Sequence, residues 1–211
     1  MQCRRTANAG VLLTLDGVNI LLDGVCRQVG SYMATPDEQR RELLACMPDV
    51  VAFTHGHLDH FDRSYAHQYN QMTLRSILGP EGLLKEGLCT DAVRVGNVTV
   101  TPIPTRHIGK AGEASSHVSY LICGSQRILF TGDATPSAFK DLQVDLLIAP
   151  YAYAATRAGW RAAGQLADRM ILLHLPDPAN DPDGLWQAVR TVTSAPGPAL
   201  FIPAMGETLT F

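Results

Sequence analysis

Val50-Val51-Ala52-Phe53-Thr54-His55-Gly56-His57-Leu58-Asp59-His60 is the stretch on which the reading of this chain turns. Its first four residues are an apolar run suited to a buried strand, and its last six carry three imidazoles and a carboxylate. Neutral imidazole and carboxylate are the ligands of borderline divalent cations such as zinc, and a strand that ends in a turn can fan its side chains toward two neighbouring ions. The bland alternative is a polar turn that happens to be rich in histidine. So dense a set of ligand groups weighs against it.

Working outward, Val11–Leu15 and Val18–Leu22 flank Asp16-Gly17, a dipeptide that favours a tight hairpin. Pro36 to Cys46 reads as a surface helix capped by Thr35. Short β-type runs follow at Thr73 to Leu78, Ala92 to Val95, Val98 to Ile103, Val118 to Cys123 and Ile128 to Thr131. Beyond Asp133 strands and helices alternate: a strand at Val144 to Ala149, a helix near Ala154 to Ala167, a strand at Met170 to Leu173, a helix near Pro182 to Val192, and a strand at Ala199 to Ile202. A chain of 211 residues with no repeat or linker reads as one domain over residues 1–211.

The formal net charge of −3, with both signs interspersed, gives no electrostatic reason to expect nucleic acid or an anionic membrane. A small-molecule substrate is the simpler expectation. Five dispersed cysteines without a CxxC pair suit a reducing compartment, and no apolar run reaches the length of a membrane span, so a cytoplasmic location is expected. Composition leaves oligomeric state open, and a homo-oligomer is compatible with it.

Three more potential ligands stand where apolar strands end: His107, Asp133 and His174. A group just past a strand end is placed by a rigid element yet reaches an open rim, as a catalytic metal requires. Taken alone, His174 reads as an ordinary core histidine. His117 competes with His107 for one position, and His107 is favoured; His117 would then line the pocket. Tyr151 and Tyr153 follow another strand end, where a phenol can donate to a substrate oxygen or simply pack. Arg106 and Lys110 flank a glycine-containing segment that could close over an anionic substrate. His67 is read as structural or exposed, and Asp62 as a helix cap.

The ordered set His55-Gly56-His57-Leu58-Asp59-His60, His107, Phe130-Thr131-Gly132-Asp133 and His174 resembles the metal motifs of the metallo-β-lactamase-fold hydrolases. Ile20-Leu21-Leu22-Asp23-Gly24 is similar to that family's early strand-aspartate motif. The closing Phe201-Ile202-Pro203 and Gly206-Glu207-Thr208-Leu209 resemble the branch of ascorbate-6-phosphate lactonase-like proteins. The resemblance implies a four-layer αββα sandwich of two mixed sheets with flanking helices. It further implies a binuclear centre in which His55, His57 and His107 hold one metal, Asp59, His60 and His174 hold the other, and Asp133 bridges them. Zinc is the default, with manganese or iron as substitutes. By the same resemblance a metal-bridging hydroxide is the nucleophile, Asp59 orients it or moves its proton, and Asp23 supports a ligand histidine. The expected function is hydrolysis of a small ester, lactone or phosphoester. One rival is a phosphodiesterase of the tRNA-processing type, which lacks a basic surface here. The other is a non-catalytic metal-binding module on the same fold. Substrate choice would lie in Arg27 to Thr35, Ile108 to Ser116 and Tyr151 to Trp160.

Overall fold

Residues 1–109, 116–139 and 141–211 are described in this computed structural model. The chain opens with β1 (Gln2–Arg5), β2 (Val11–Leu15) and β3 (Val18–Leu22), followed by α1 (Asp37–Ala45), β4 (Val50–Ala52), α2 (Arg63–Thr73), β5 (Ile77–Leu78) and β6 (Leu88–Cys89). A second series comprises β7 (Val93–Val95), β8 (Val98–Thr105), β9 (His117–Cys123), β10 (Arg127–Phe130), β11 (Leu146–Pro150), α3 (Arg157–Leu166), β12 (Arg169–Leu173), α4 (Leu185–Thr193) and β13 (Ala199–Phe201). The last strand, β14 (Thr208–Thr210), returns to pair with β1.

Two seven-stranded sheets result, ordered β14-β1-β2-β3-β4-β5-β6 and β13-β12-β11-β10-β9-β8-β7. Both are mixed. The first runs from antiparallel to parallel at β3–β4, the second at β10–β11. Side-chain alternation along the central strands explains the layering. Ile20, Leu22, Val50, Ala52, Ile128, Phe130, Ile148 and Ile171 point into the apolar layer between the sheets. Leu21, Val51 and Phe53 face the opposite way, toward Leu43 of α1 and Tyr65 and Tyr69 of α2. Leu129, Leu147, Met170 and Leu172 back onto Trp160 and Ala163 of α3 and Val189 of α4. Strands buried on both faces read as continuous apolar runs, which is how Val50 to Phe53 and Leu146 to Ala149 appear in the sequence. The expected αββα sandwich is the observed architecture.

Several local expectations change. The run Thr73 to Leu78 is not one strand: Thr73 ends α2, Leu74 takes a left-handed conformation (φ 57°) as its C-cap, and only Ile77–Leu78 pairs. Thr35 does not cap α1, whose N-cap is Pro36; its hydroxyl instead accepts from the Cys26 backbone at 3.1 Å. Asp62 does cap α2, accepting from the Tyr65 N–H at 2.9 Å. The hairpin holds, with Asp16 and Gly17 both at positive φ (52° and 80°). Lys110, one flank of the segment expected to close over substrate, lies outside the described residues, as do residues 110–115 of the loop Ile108 to Ser116. No helix among the described residues is long and apolar enough to cross a membrane.

Candidate metal centre

The carboxyl ends of β3, β4, β8, β10, β11 and β12 all open on one rim, and the chain places its ligand-type side chains there. The turn after β4 carries His55 to His60. Gly132 lets the turn after β10 swing Asp133 inward; it sits at φ 50°, where a Cβ would stand 2.5 Å from the Thr54 Cγ2. Asp23 and His174, each the residue after a strand, adopt positive φ (45° and 59°). Non-glycine residues held this way cost free energy, and such strain collects at functional sites.

The predicted set converges. Ligand atoms of His55, His57 and His107 lie within 4.8 Å of one another, as do those of His55, His60 and Asp133, and those of Asp59, His60 and His174. Asp133 Oδ2 stands 3.4 Å from His60 Nε2, 3.4 Å from His107 Nε2 and 3.5 Å from His174 Nε2. Asp59 Oδ2 is 3.2 Å from His174 Nε2, and His55 Nε2 is 3.0 Å from His57 Nδ1.

The outer nitrogens decide what the inner ones can do. Asp23 accepts from the Thr54 N–H (2.7 Å), the Thr54 hydroxyl (2.6 Å) and His60 Nδ1 (2.8 Å). With its proton given to Asp23, Thr54 Oγ1 accepts from His55 Nδ1 at 3.0 Å. His107 Nδ1 donates to the Ile108 carbonyl. Three imidazoles are thus held by their outer nitrogens, so that the inner nitrogens of His55 and His107 carry lone pairs and that of His60 does so once it gives up its proton, the support that metal-binding histidines usually have. The inner nitrogens of His60 and His107, both ring nitrogens of His174 and Asp133 Oδ1 are buried without a hydrogen-bond partner. Buried polar atoms left this way are costly, and divalent cations at the centre of the group fit them.

Charge follows the same pattern. Burial works against ionisation of Asp133, but His174, His60 and His107 outweigh it and hold the carboxyl well below its ordinary range. For Asp59 burial is likewise overcome, by His174 and His60, and its pKa is lowered. Burial opposes charge on His60 too, yet Asp133 and Asp23 together raise it well above the usual imidazole value. The imidazolium of His60 offsets part of the carboxylate charge that cations would otherwise neutralise.

His117 is separated from His107 by its contacts. Its Nε2 accepts the Asp133 backbone N–H at 3.1 Å and its Nδ1 faces Thr105 Oγ1 at 2.8 Å, so neither nitrogen is free for a cation. Burial pushes its pKa down to about 3, which keeps the ring a neutral acceptor. His117 supports the Asp133 turn from behind, and the Ile108 N–H to Asp133 carbonyl bond (2.7 Å) ties the His107 segment to the same turn. Tyr151 reaches the rim, its ring 5.9 Å from His174. Tyr153 does not: it is fully buried in the apolar layer beneath α3. Both belong to a 3-10 turn, Tyr151–Tyr153, whose tight winding sends residues two apart to different sides. Sequence reasoning named the loop Arg27 to Thr35 without singling out Tyr32, whose ring meets His174 edge-on at 4.4 Å. It comes from an irregular loop, and the only signal was that this loop faces the rim. Arg106 and His67 are exposed.

No protein-family model matches the sequence, and a search of curated proteins finds no similar chain. Solved structures do match. A possible metal-dependent hydrolase from Veillonella parvula superposes with a TM-score of 0.72 at 15% identity, over 100% of this chain and 99% of that one. Igni18, a metallo hydrolase from Ignicoccus hospitalis, gives 0.72 at 16% identity, over 100% and 97%. YhfI of Bacillus subtilis, a metallo-β-lactamase fold protein, gives 0.65 at 18% identity, over 99% and 98%. The chain has the metallo-β-lactamase fold. At these identities the likeness concerns architecture alone, so what this metallo-β-lactamase-fold chain does must be argued from its own side chains.

Proposed function

We propose that the protein is a dinuclear metal-dependent hydrolase acting on a small ester, lactone or phosphoester. The observation that carries this reading is the set of seven donors from four strand ends, with the outer nitrogens of His55, His60 and His107 bound and the inner nitrogens of His60, His107 and His174 left without a partner. His55, His57 and His107 would hold one cation, Asp59, His60 and His174 the second, and Asp133 both. Zinc suits the imidazole-carboxylate set best, and manganese or iron could replace it. When bound, two such cations supply Lewis acidity and bring the pKa of water toward neutrality.

The remaining work falls to the side chains. Asp59, held as carboxylate and 3.2 Å from His174 Nε2, accepts a proton from the attacking water and returns it to the leaving oxygen. The water oxygen bonds to the acyl carbon or phosphorus, the bond to the leaving oxygen breaks, and the products are an acid and an alcohol. Asp23 and Thr54 keep His55 and His60 from rotating, and His117 keeps Asp133 in place.

Protein purified without chelator is expected to contain about two transition-metal equivalents per chain, as two-metal sites do. Asp133→Ala should lower that content and abolish hydrolysis. Metal analysis alongside a panel of esters, lactones and phosphoesters tests both; full activity in chelated, metal-free protein would refute the proposal.

A further inference from the structure

We propose that Tyr32 and Tyr151 form a paired phenol donor that receives the oxygen of a substrate acyl group, making an ester or lactone, rather than a phosphodiester, the substrate class. The inference rests on the hydrolase reading above and extends it to residues that ligate nothing.

Both rings pack on the same candidate ligand. The Tyr32 ring lies 4.4 Å from His174 with a 77° interplanar angle, and Tyr151 lies 5.9 Å away at 65°. They arrive from different elements. Tyr32 sits in the loop between β3 and α1, pinned by reciprocal backbone hydrogen bonds with Val29 (3.2 and 2.9 Å), while Tyr151 follows directly on β11. Both rings thus border His174, whose Nε2 lies 3.2 Å from Asp59 Oδ2 and 3.5 Å from Asp133 Oδ2. Both residues are partly buried.

Two uncharged donors beside two carboxylates favour one kind of reaction. In acyl hydrolysis a neutral carbonyl oxygen gains charge only as the water adds, and fixed hydrogen-bond donors stabilise that growing charge. A phosphodiester arrives already anionic, and its charge is met by the two proposed cations, so neutral phenol donors add less there. The rim agrees: Leu58, between ligands His57 and Asp59, is 53% exposed, and Val29 beside the Tyr32 turn is 39% exposed, apolar surface suited to an acyl chain.

The test uses the full chain loaded with cobalt and titrated with acetate, the carboxylate product of an acetyl ester. Binding is followed by the visible cobalt spectrum and the tyrosine ultraviolet difference spectrum. Tyr32→Phe and Tyr151→Phe should each weaken acetate binding about 10-fold, the loss of one hydrogen bond to a charged group, with cobalt content unchanged. Turnover of p-nitrophenyl acetate should fall in the same order while bis(p-nitrophenyl) phosphate cleavage stays within about two-fold of the parent, a difference too small for a lost hydrogen bond. A double variant that binds acetate as tightly as the parent overturns the inference, as does an equal loss on both chromogenic probes. A parent chain that takes up no cobalt overturns the underlying hydrolase reading instead, so the two failures are distinguishable.

Discussion

His117 shows how a residue can support a candidate metal ligand, Asp133, without being one. The ring of His117 accepts the Asp133 N–H and braces against Thr105, whose hydroxyl lies 3.1 Å from Ser119, which in turn donates to the Thr131 carbonyl at 2.7 Å. Support of this kind typically changes metal affinity by roughly 10- to 100-fold. His117→Ala is therefore expected to weaken zinc by that factor, and His117→Gln, which keeps an acceptor for the Asp133 N–H, to recover part of it; competition with a chromophoric chelator reads both. His60 makes a second prediction. Its folded pKa is raised, so in the metal-free protein its contribution to stability is fully present below about pH 6.5 and is lost as pH rises through the folded value. At neutral pH the raised pKa leaves it with a proton that a cation bound there would have to displace. Calorimetric zinc titrations in buffers of different ionisation enthalpy should show about one proton released per chain, and apparent affinity should climb with pH. No release at pH 7 would contradict this tautomer and charge assignment.

At the scale of elements, the turn after β10 is the most constrained connection in the site. Gly132→Ala forces a Cβ into Thr54 at positive φ, combining backbone strain with overpacking, an expected cost of about 2–4 kcal/mol. Gly17→Ala, also at positive φ but with nothing within 4 Å of its Cβ, should cost only about 1 kcal/mol. Urea denaturation of the two variants separates crowding from conformational strain; equal losses would show that the close approach to Thr54 contributes nothing. The central strands were legible because burial on both faces leaves an uninterrupted apolar run. Two strands at one margin of the first sheet, β14 at its edge and β1 beside it, were not. β1 is Gln-Cys-Arg-Arg and β14 is Thr-Leu-Thr, and neither has a local signal strong enough to stand out before its partner is known.

For the molecule as a whole, the site ties together segments that are distant in sequence. The Val118 N–H donates to the Thr54 carbonyl at 2.9 Å, joining the two sheets above the ligands, and Tyr120 reaches the Phe53 carbonyl at 2.8 Å. Cations bound by such a composite site have little affinity for the unfolded chain, so loading should stabilise the fold by mass action. At free metal 100 times Kd the gain is about 2.7 kcal/mol per site, or roughly 5–10 °C in Tm for a chain of this size. Scanning calorimetry with and without chelator checks this, and identical transitions would argue against cations bridging the folded strands.

The sequence by itself determined the buried central strands and the dense ligand set His55, His57, Asp59 and His60, because apolar runs and clustered imidazole and carboxylate groups are local properties of the chain, while the sandwich and the parts of His107, Asp133 and His174 were implied by a resemblance in motif order. Tertiary structure alone decided between His107 and His117, since that choice depends on which ring nitrogens are already engaged by Thr105, Ile108 and the Asp133 backbone. It likewise sent Tyr153 into the core and brought Tyr32 from a loop without periodicity onto His174. Side-chain direction at a turn is fixed by contacts across the fold, and no spacing along the chain encodes it.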